Sequence, residues 1–242
     1  MDSIIVENVS KTFRVKQQSR FLGKVQSSGI KIVNALNNIN FNVKSGEMIG
    51  IIGMNGSGKT TLLRTISGIY QQDSGKIITN GMIAPILQLG TGFIDELDAY
   101  ENIVMYGMLL GIKKDIIKSK IPEIAEFGDL TEFLHMKLKN YSSGMRSRLA
   151  FSTVLQVDPD IMLVDEILAV GDQVFRERSY EAFKSFKNQG KTILYTTHNL
   201  EKLSELSDRV ILMDKGSIVS IGKPEAVIEE YRKMIIKRKR KN

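Results

Sequence analysis

The sequence predicts an α/β protein with a mainly parallel sheet, an antiparallel β region at its N-terminus and an inserted helical subdomain. Three observations predict it. Continuous apolar runs of strand length, Met48–Ile52 and 161–164, read as strands buried on both faces. Residues 95–157 are rich in helical patterns, with 101–110 and 115–127 the clearest. From 158 to 222 the chain returns to alternating strand and helix.

Taken in order, residues 1–47 hold three short strand patterns, SIIVENV, KTFRV and INFNV. Residues 17–34, QQSRFLGKVQSSGIKIVN, are polar, basic and glycine-containing, and read as a long connection between them. Residues 48–87 supply a strand, a glycine-rich loop, a helix and the next strand. RVILMD and SIVSIG, joined by Lys215-Gly216, read as a hairpin. PEAVIEEYRKMII is a final helix, with Pro224 suited to its first turn. The expected division is one domain: an α/β core of 1–94 and 158–222, a helical subdomain of 95–157, and a C-terminal helix with a basic tail at 223–242. No internal repeat is evident.

Composition narrows the class. An apolar fraction of 42% and a charged fraction of 25% are ordinary for a globular chain. No apolar run approaches bilayer-spanning length. The start, MDSIIVENVSK, lacks the basic head and apolar stretch of a secretory signal. Zero cysteines exclude disulfides and thiolate metal sites, which fits a reducing cytoplasm. Net charge is +7; KRKRK at 237–241 carries five of those charges and leaves +2 elsewhere. That run reads as a solvated tail or as a contact for anionic lipid headgroups. Nucleic acid is not the expected partner, because no aromatic-studded sheet motif or zinc-finger spacing accompanies the charge.

The sharpest signal is GMNGSGKTT at 53–61, which satisfies G-x-x-x-x-G-K-[ST] and marks a P-loop NTPase core. Gly53, Gly56 and Gly58 let the backbone fold back so that successive N–H groups point inward around phosphate oxygens. Lys59 places a point charge on the β- and γ-phosphates, and Thr60 offers a hydroxyl to Mg²⁺. Asn55, Ser57 and Thr61 complete the expected phosphate-binding set. A buried strand precedes the loop, and a helix bearing Leu62, Leu63 and Ile66 on one face follows it.

Two strand ends carry chemistry. The run at 161–164 closes in Asp165-Glu166, and unpaired carboxylates do not belong in a core. Asp165 is placed to hold Mg²⁺, and Glu166 to orient or deprotonate an attacking water. The apolar strand KTILYTTHN ends in His198, at the edge where open α/β sheets bind ligands. Structural and catalytic readings of His198 stand level on position alone. YSSGMRSRLAF at 141–151 opens a basic helix with two serines and a glycine. Ser142 or Ser143 is a plain N-cap on one reading; on the other, the helix start is an anion site.

The order of these motifs — phosphate loop at 53–61, YSSGM at 141–145, LVDE at 163–166, GD at 171–172, then His198 — resembles the ATP-binding subunit of ABC transporters across residues 3–222. The resemblance implies ATP and Mg²⁺ as cofactors and a homodimer that sandwiches two ATPs. In it, YSSGM is the signature segment that faces the partner's phosphate loop. Ser142 offers its hydroxyl, and the N–H groups around Ser143 and Gly144 stabilise the γ-phosphate charge. The family's commonest signature is Leu-Ser-Gly-Gly-Gln, and this chain differs at Tyr141, Ser143 and Met145. Glu166 becomes the catalytic base, His198 the switch histidine, Lys59 the phosphate lysine and Asp172 part of the segment touching the partner subunit. Phe13, in SKTFRV, stacks on adenine, with core packing as its alternative. Gln88, in PILQLGTGF, falls near the glutamine that senses Mg²⁺ and the transmembrane partner.

LQLGTGF, YSSGMRSRLAF and DEILAVGDQVF look most like exporters of bacterial surface polysaccharides: O-antigen, capsule or teichoic acid. The resemblance implies a peripheral protein at the cytoplasmic face of the cytoplasmic membrane, with a separate transmembrane permease. In that group the long first connection lies near the membrane face. Some members add a C-terminal sugar-binding domain, which a sequence ending soon after residue 236 is expected to lack. The alternatives are an ABC ATPase with different cargo, a soluble ABC ATPase of translation or repair, and an ATP sensor without turnover. Glu166 and His198 argue against the last.

Overall fold

The computed structural model describes residues 1–21, 24–87, 89–166 and 171–239. They divide into two compact units, 1–80 with 196–242, and 81–195.

In the first unit, Ile4, Val6 and Val9 are buried while Glu7 and Asn8 are exposed, the pattern of a strand with one face on a core. β1 (Asp2–Phe21) pairs antiparallel with β2 (Lys24–Lys44) from Asp2↔Lys44 to Phe21↔Lys24, and with β4 (Ser74–Thr79) on its other side. This corrects the expected connection at 17–34, most of which is ladder: Lys16 faces Ile30 and Gln18 faces Ser27. Backbone N–H and C=O groups make the ladder whatever the side chains are. The sequence of that stretch mixes polar and apolar residues with no sustained period-two signature to read. Asn8 and Asn38, both at positive φ, sit at the irregularities that shift the register near Val9.

β3 (Met48–Ile52) is buried throughout and runs parallel to β8 (Arg209–Asp214), which pairs antiparallel with β9 (Ser217–Gly222). Lys215 and Gly216, at φ 47° and 80°, make the expected two-residue turn, whose paired positive φ suits the twist of the flanking strands. α1 (Lys59–Ile66) buries Leu62, Leu63 and Ile66, as its apolar stripe predicts. α6 (Leu200–Leu206) lies close on β3: a Cβ at Gly50 would stand 2.2 Å from Leu203 Cδ1. α7 (Pro224–Lys239) begins at Pro224 and runs past the apolar pattern into the basic residues.

In the second unit, β5 (Ile83–Ile86) runs parallel to β6 (Ile161–Asp165), in the order β5-β6-β7 with β7 (Thr192–Thr196). The helical part comprises α2 (Ala99–Leu109), α3 (Lys114–Phe127) and α4 (Ser143–Val154), followed after β6 by α5 (Gln173–Asn188). A reciprocal cap starts α2: Asp98 accepts from the Glu101 amide, and Glu101 accepts from the Asp98 amide. Asn102 is fully buried, and its amide donates to the carbonyls of Ile94 and Asp98 while its oxygen accepts from the Ile94 N–H. That exchange satisfies the chain where it turns into the helix. Ile103, Ile117, Ile121, Leu138, Tyr141 and Leu149 close the core between α2, α3 and α4. Phe151 of α4 also meets Phe175 of α5 edge-on at 5.8 Å and stacks with Phe183 at 6.3 Å. No helix among the described residues is long and apolar enough to cross a membrane.

Candidate functional site

The loop 53–61 leaves β3 and enters α1 through three glycines at positive φ: Gly53 at 154°, Gly56 at 76° and Gly58 at 106°. Two of them are also required by space. A Cβ at Gly53 would stand 2.3 Å from the Met213 carbonyl, and one at Gly58 would stand 2.6 Å from the Ala35 carbonyl. Lys59 is 8% exposed, and its Nζ donates to the carbonyls of Gly53 at 2.8 Å and Met54 at 3.3 Å. Burial of that ammonium is tolerable because the loop's own carbonyls receive it. The Ser57 amide donates to the Met54 carbonyl, and the Gly216 amide to the Ser57 carbonyl, so the β8–β9 turn supports the loop. The Ser57 hydroxyl is buried with no hydrogen-bond partner among the described residues. An orphaned hydroxyl inside a loop of left-handed glycines fits an anionic ligand. Asn55 and Gly56 are exposed at the loop's tip, and Thr60 and Thr61 sit in the first turn of α1.

Phe13 lies on β1 opposite Val33. Its ring meets Tyr70 edge-on at 5.2 Å, and the Lys11 ammonium stands 5.6 Å from its centroid. Arg64 of α1 donates to the Tyr70 hydroxyl at 3.0 Å. A half-buried aromatic ring with cations around it is a platform for a flat, electron-rich ring near phosphate. His198 is exposed in the turn between β7 and α6, just before Asn199, whose side chain caps α6 through the amides of Glu201 and Lys202.

In the second unit, β6 buries four residues and then presents Asp165 half-buried and Glu166 exposed. Glu166 has φ 54°, a left-handed conformation that costs a non-glycine residue about 1–3 kcal/mol and concentrates at functional sites. Ser142 is the N-cap of α4: its Oγ accepts from the Met145 amide at 3.1 Å. Accepting leaves the hydroxyl's own proton as a donor. Ser143 and Gly144 occupy the first helical turn, with N–H groups that have no intrahelical partner. Ser142 and Gly144 line a cleft of about 460 Å³ with Asp129, Arg148 and Asp172.

Asp172 caps α5 by accepting from the Phe175 amide at 3.0 Å. That bond first, then the charges of Arg148 and Arg176, hold its carboxyl below the usual range, against partial burial. Arg148 joins Asp172 to Asp129, and Arg178 also donates to Asp129. α4 is thus tied to the segment around 172. Tyr141, just before the N-cap of α4, is buried and donates its hydroxyl to the Phe133 carbonyl at 2.8 Å. Burial first, then the Asp98 charge, pushes that phenol up to about 12.

Within the first unit the structure gathers Gly53, Asn55, Gly56, Ser57, Gly58, Lys59, Thr60 and Thr61 on one loop and helix start. Within the second it gathers Ser142, Ser143 and Gly144 on one helix tip, with Asp165 and Glu166 at a strand end. Gln88 lies outside the described residues. Tyr70, Arg148, Asp129 and Arg178 were not foreseen, since each acts through a partner distant in sequence.

Residues 36–169, more than half of the 242, match the ABC transporter family. The O-antigen export system ATP-binding protein RfbB of Myxococcus xanthus is 41% identical over 97% of this chain, which spans 56% of that protein. The ABC transporter protein AbcA of Aeromonas salmonicida is 38% identical over 96% of the chain, which spans 76% of it. The teichoic acids export ATP-binding protein TagH of Lactococcus lactis is 39% identical over 91% of the chain, which spans 47% of it. Among solved structures, a dimer of the ATP-binding cassette MJ0796 with ADP and Pi superimposes with a TM-score of 0.75 at 23% identity. It covers 91% of this chain and 98% of that one. That likeness agrees with the mixed α/β architecture described above, and with relatives aligned over nearly its whole length the chain belongs to the ABC transporter family.

Proposed function

We propose that residues 1–242 form one ATPase domain that binds and hydrolyses ATP and powers export of a lipid-linked surface polysaccharide through a separate permease. The observation that carries the ATP reading is the loop 53–61: left-handed glycines, a buried lysine resting on loop carbonyls, and an orphaned Ser57 hydroxyl. Lys59 would exchange its carbonyl partners for the β- and γ-phosphates, and the loop amides would hold the remaining oxygens. Phe13 would stack on adenine. The donor set available for Mg²⁺, the Thr60 hydroxyl and the Asp165 carboxylate with Gln88, is all oxygen and suits a hard cation. When bound, Mg²⁺ offsets phosphate charge. Glu166, held out at the end of β6, would orient or deprotonate the attacking water, with His198 contacting the γ-phosphate. Ser142, Ser143 and Gly144 of a second copy would complete the site in an isologous homodimer.

The relatives named for O-antigen and teichoic acid export support the cargo class. A groove of about 600 Å³ between α2 and α3, lined by Tyr100, Val104, Met105, Met108 and Leu109, is an apolar surface suited to the permease. Such a complex would put the chain at the cytoplasmic face of the membrane, where its C-terminal basic residues would meet anionic lipid. Two measurements test this. Purified protein should hydrolyse Mg-ATP, and Lys59→Ala should abolish binding; undiminished hydrolysis would overturn the loop assignment. Disruption in the native host should strip the polymer from the surface while lipid-linked chains accumulate inside. A surface polymer left intact would overturn the cargo.

A further inference from the structure

The end of α7 reaches back to the phosphate loop. Arg238 Nη2 donates to both carboxylate oxygens of Asp214, at 2.7 and 2.6 Å, and Nη1 stands 3.0 Å from the Met54 sulfur. Met54 is the residue after Gly53, and its carbonyl accepts from the Ser57 amide at 3.1 Å and from Lys59 Nζ at 3.3 Å. Asp214 closes β8 immediately before the turn whose Gly216 amide donates to the Ser57 carbonyl. The loop is therefore gripped at two points: by backbone at Ser57 and by a side chain at Met54.

The chemistry suits a fixed support. Both carboxylate oxygens accept from Nη2, so the rest of the planar guanidinium is left to aim Nη1 at Met54, a two-ended reach that the single nitrogen of a lysine cannot reproduce. The remaining nitrogen then lies against a soft, polarisable thioether that would otherwise be mobile. Ordering the loop before ligand arrives lowers the entropic cost of binding. We propose that Arg238 is a positioning residue for ATP: seated on Asp214, it holds Met54 and, through it, the carbonyl on which Lys59 rests. The proposal rests on reading 53–61 as the ATP site. It removes Arg238 from the basic run expected to be a solvated or lipid-facing tail.

The test uses the full chain, a fluorescent ATP analogue for equilibrium binding, and steady-state Mg-ATP hydrolysis. Arg238→Ala should raise Kd and KM about three- to tenfold, with a smaller change in kcat. Arg238→Lys, which keeps the charge without the fork, should recover part of that loss. Met54→Ala should reproduce the rise, and the double variant should add nothing to it, because both changes cut one chain of contacts. Wild-type Kd in Arg238→Ala would overturn the proposal, even with a lowered melting temperature, since that is the signature of a simple helix tie. So would effects of the two single variants that multiply. If wild-type protein shows no binding that Lys59→Ala removes, the ATP site itself is wrong, and the two failures are told apart.

Discussion

Replacing Tyr141 with phenylalanine removes one hydroxyl beside the start of α4, and the structure fixes both size and sign of the effect. The hydroxyl donates to the Phe133 carbonyl at 2.8 Å, but that carbonyl also accepts from the Met136 amide at 2.9 Å. It is not orphaned by the change, so the loss at neutral pH is that of one ordinary hydrogen bond, about 1 kcal/mol. The alkaline limb behaves differently. The phenol is pushed up to about 12 by burial and by Asp98, while its unfolded counterpart ionises near 10. Between those values the unfolded chain has lost the proton and the native chain has kept it. Stability is therefore whole below pH 10 and drains as pH rises toward 12. At about 1.4 kcal/mol per pH unit the drain is about 1.4 kcal/mol by pH 11 and approaches about 2.8 kcal/mol at pH 12, so the wild-type advantage over Tyr141→Phe should vanish just below pH 11 and then reverse. Urea unfolding of both proteins from pH 7 to 11 measures this directly, and the other tyrosines cancel in the comparison. Parallel curves across that range would refute the buried, bonded phenol.

Three further outcomes are expected. Glu166→Gln should bind ATP and hold a dimer in gel filtration while hydrolysing little; wild-type turnover would remove Glu166 as the base. Arg148→Ala should lose its packing on Phe175, 5.3 Å away, for about 1 kcal/mol, and should slow hydrolysis more than it weakens ATP binding, because it loosens the tie between α4 and Asp172. Equal loss in both readouts would contradict that tie. Gly58→Ala must place a Cβ 2.6 Å from the Ala35 carbonyl at φ 106°, and should lose about 2 kcal/mol or more of stability together with ATP binding in a calorimeter.

The legible part of the molecule was local. The apolar run of β3, the glycine spacing of 53–61 and the stripe of α1 are adjacent in sequence, so their order declares the loop without tertiary knowledge. The Lys215-Gly216 turn was legible for the same reason. The ladder between β1 and β2 was not: its distal pairs mix residue types, Gln18 with Ser27 and Arg20 with Val25, and backbone pairing leaves no trace in side-chain pattern. α7 outran its apolar period because lysine and arginine are good helix formers and extend a helix that packing has begun. Site support was least visible. Phe13 meets Tyr70, Arg148 meets Asp172 and Arg238 meets Asp214, and a pairwise contact between distant positions leaves no period to count. Tyr141 read only as a departure from a family consensus; the Phe133 carbonyl gives it a reason.

The turn between β8 and β9 bears on how this chain is made. Its Gly216 amide grips Ser57, its carbonyl receives the Asn37 amide, and β8 lies along β3. A nascent chain on the ribosome therefore exposes the loop 53–61 long before the residues that brace it emerge. Segments this far apart close slowly, since loop entropy must be met before the contact rewards it. The segment through α1 waits with its loop unbraced until β8 and the turn after it have emerged.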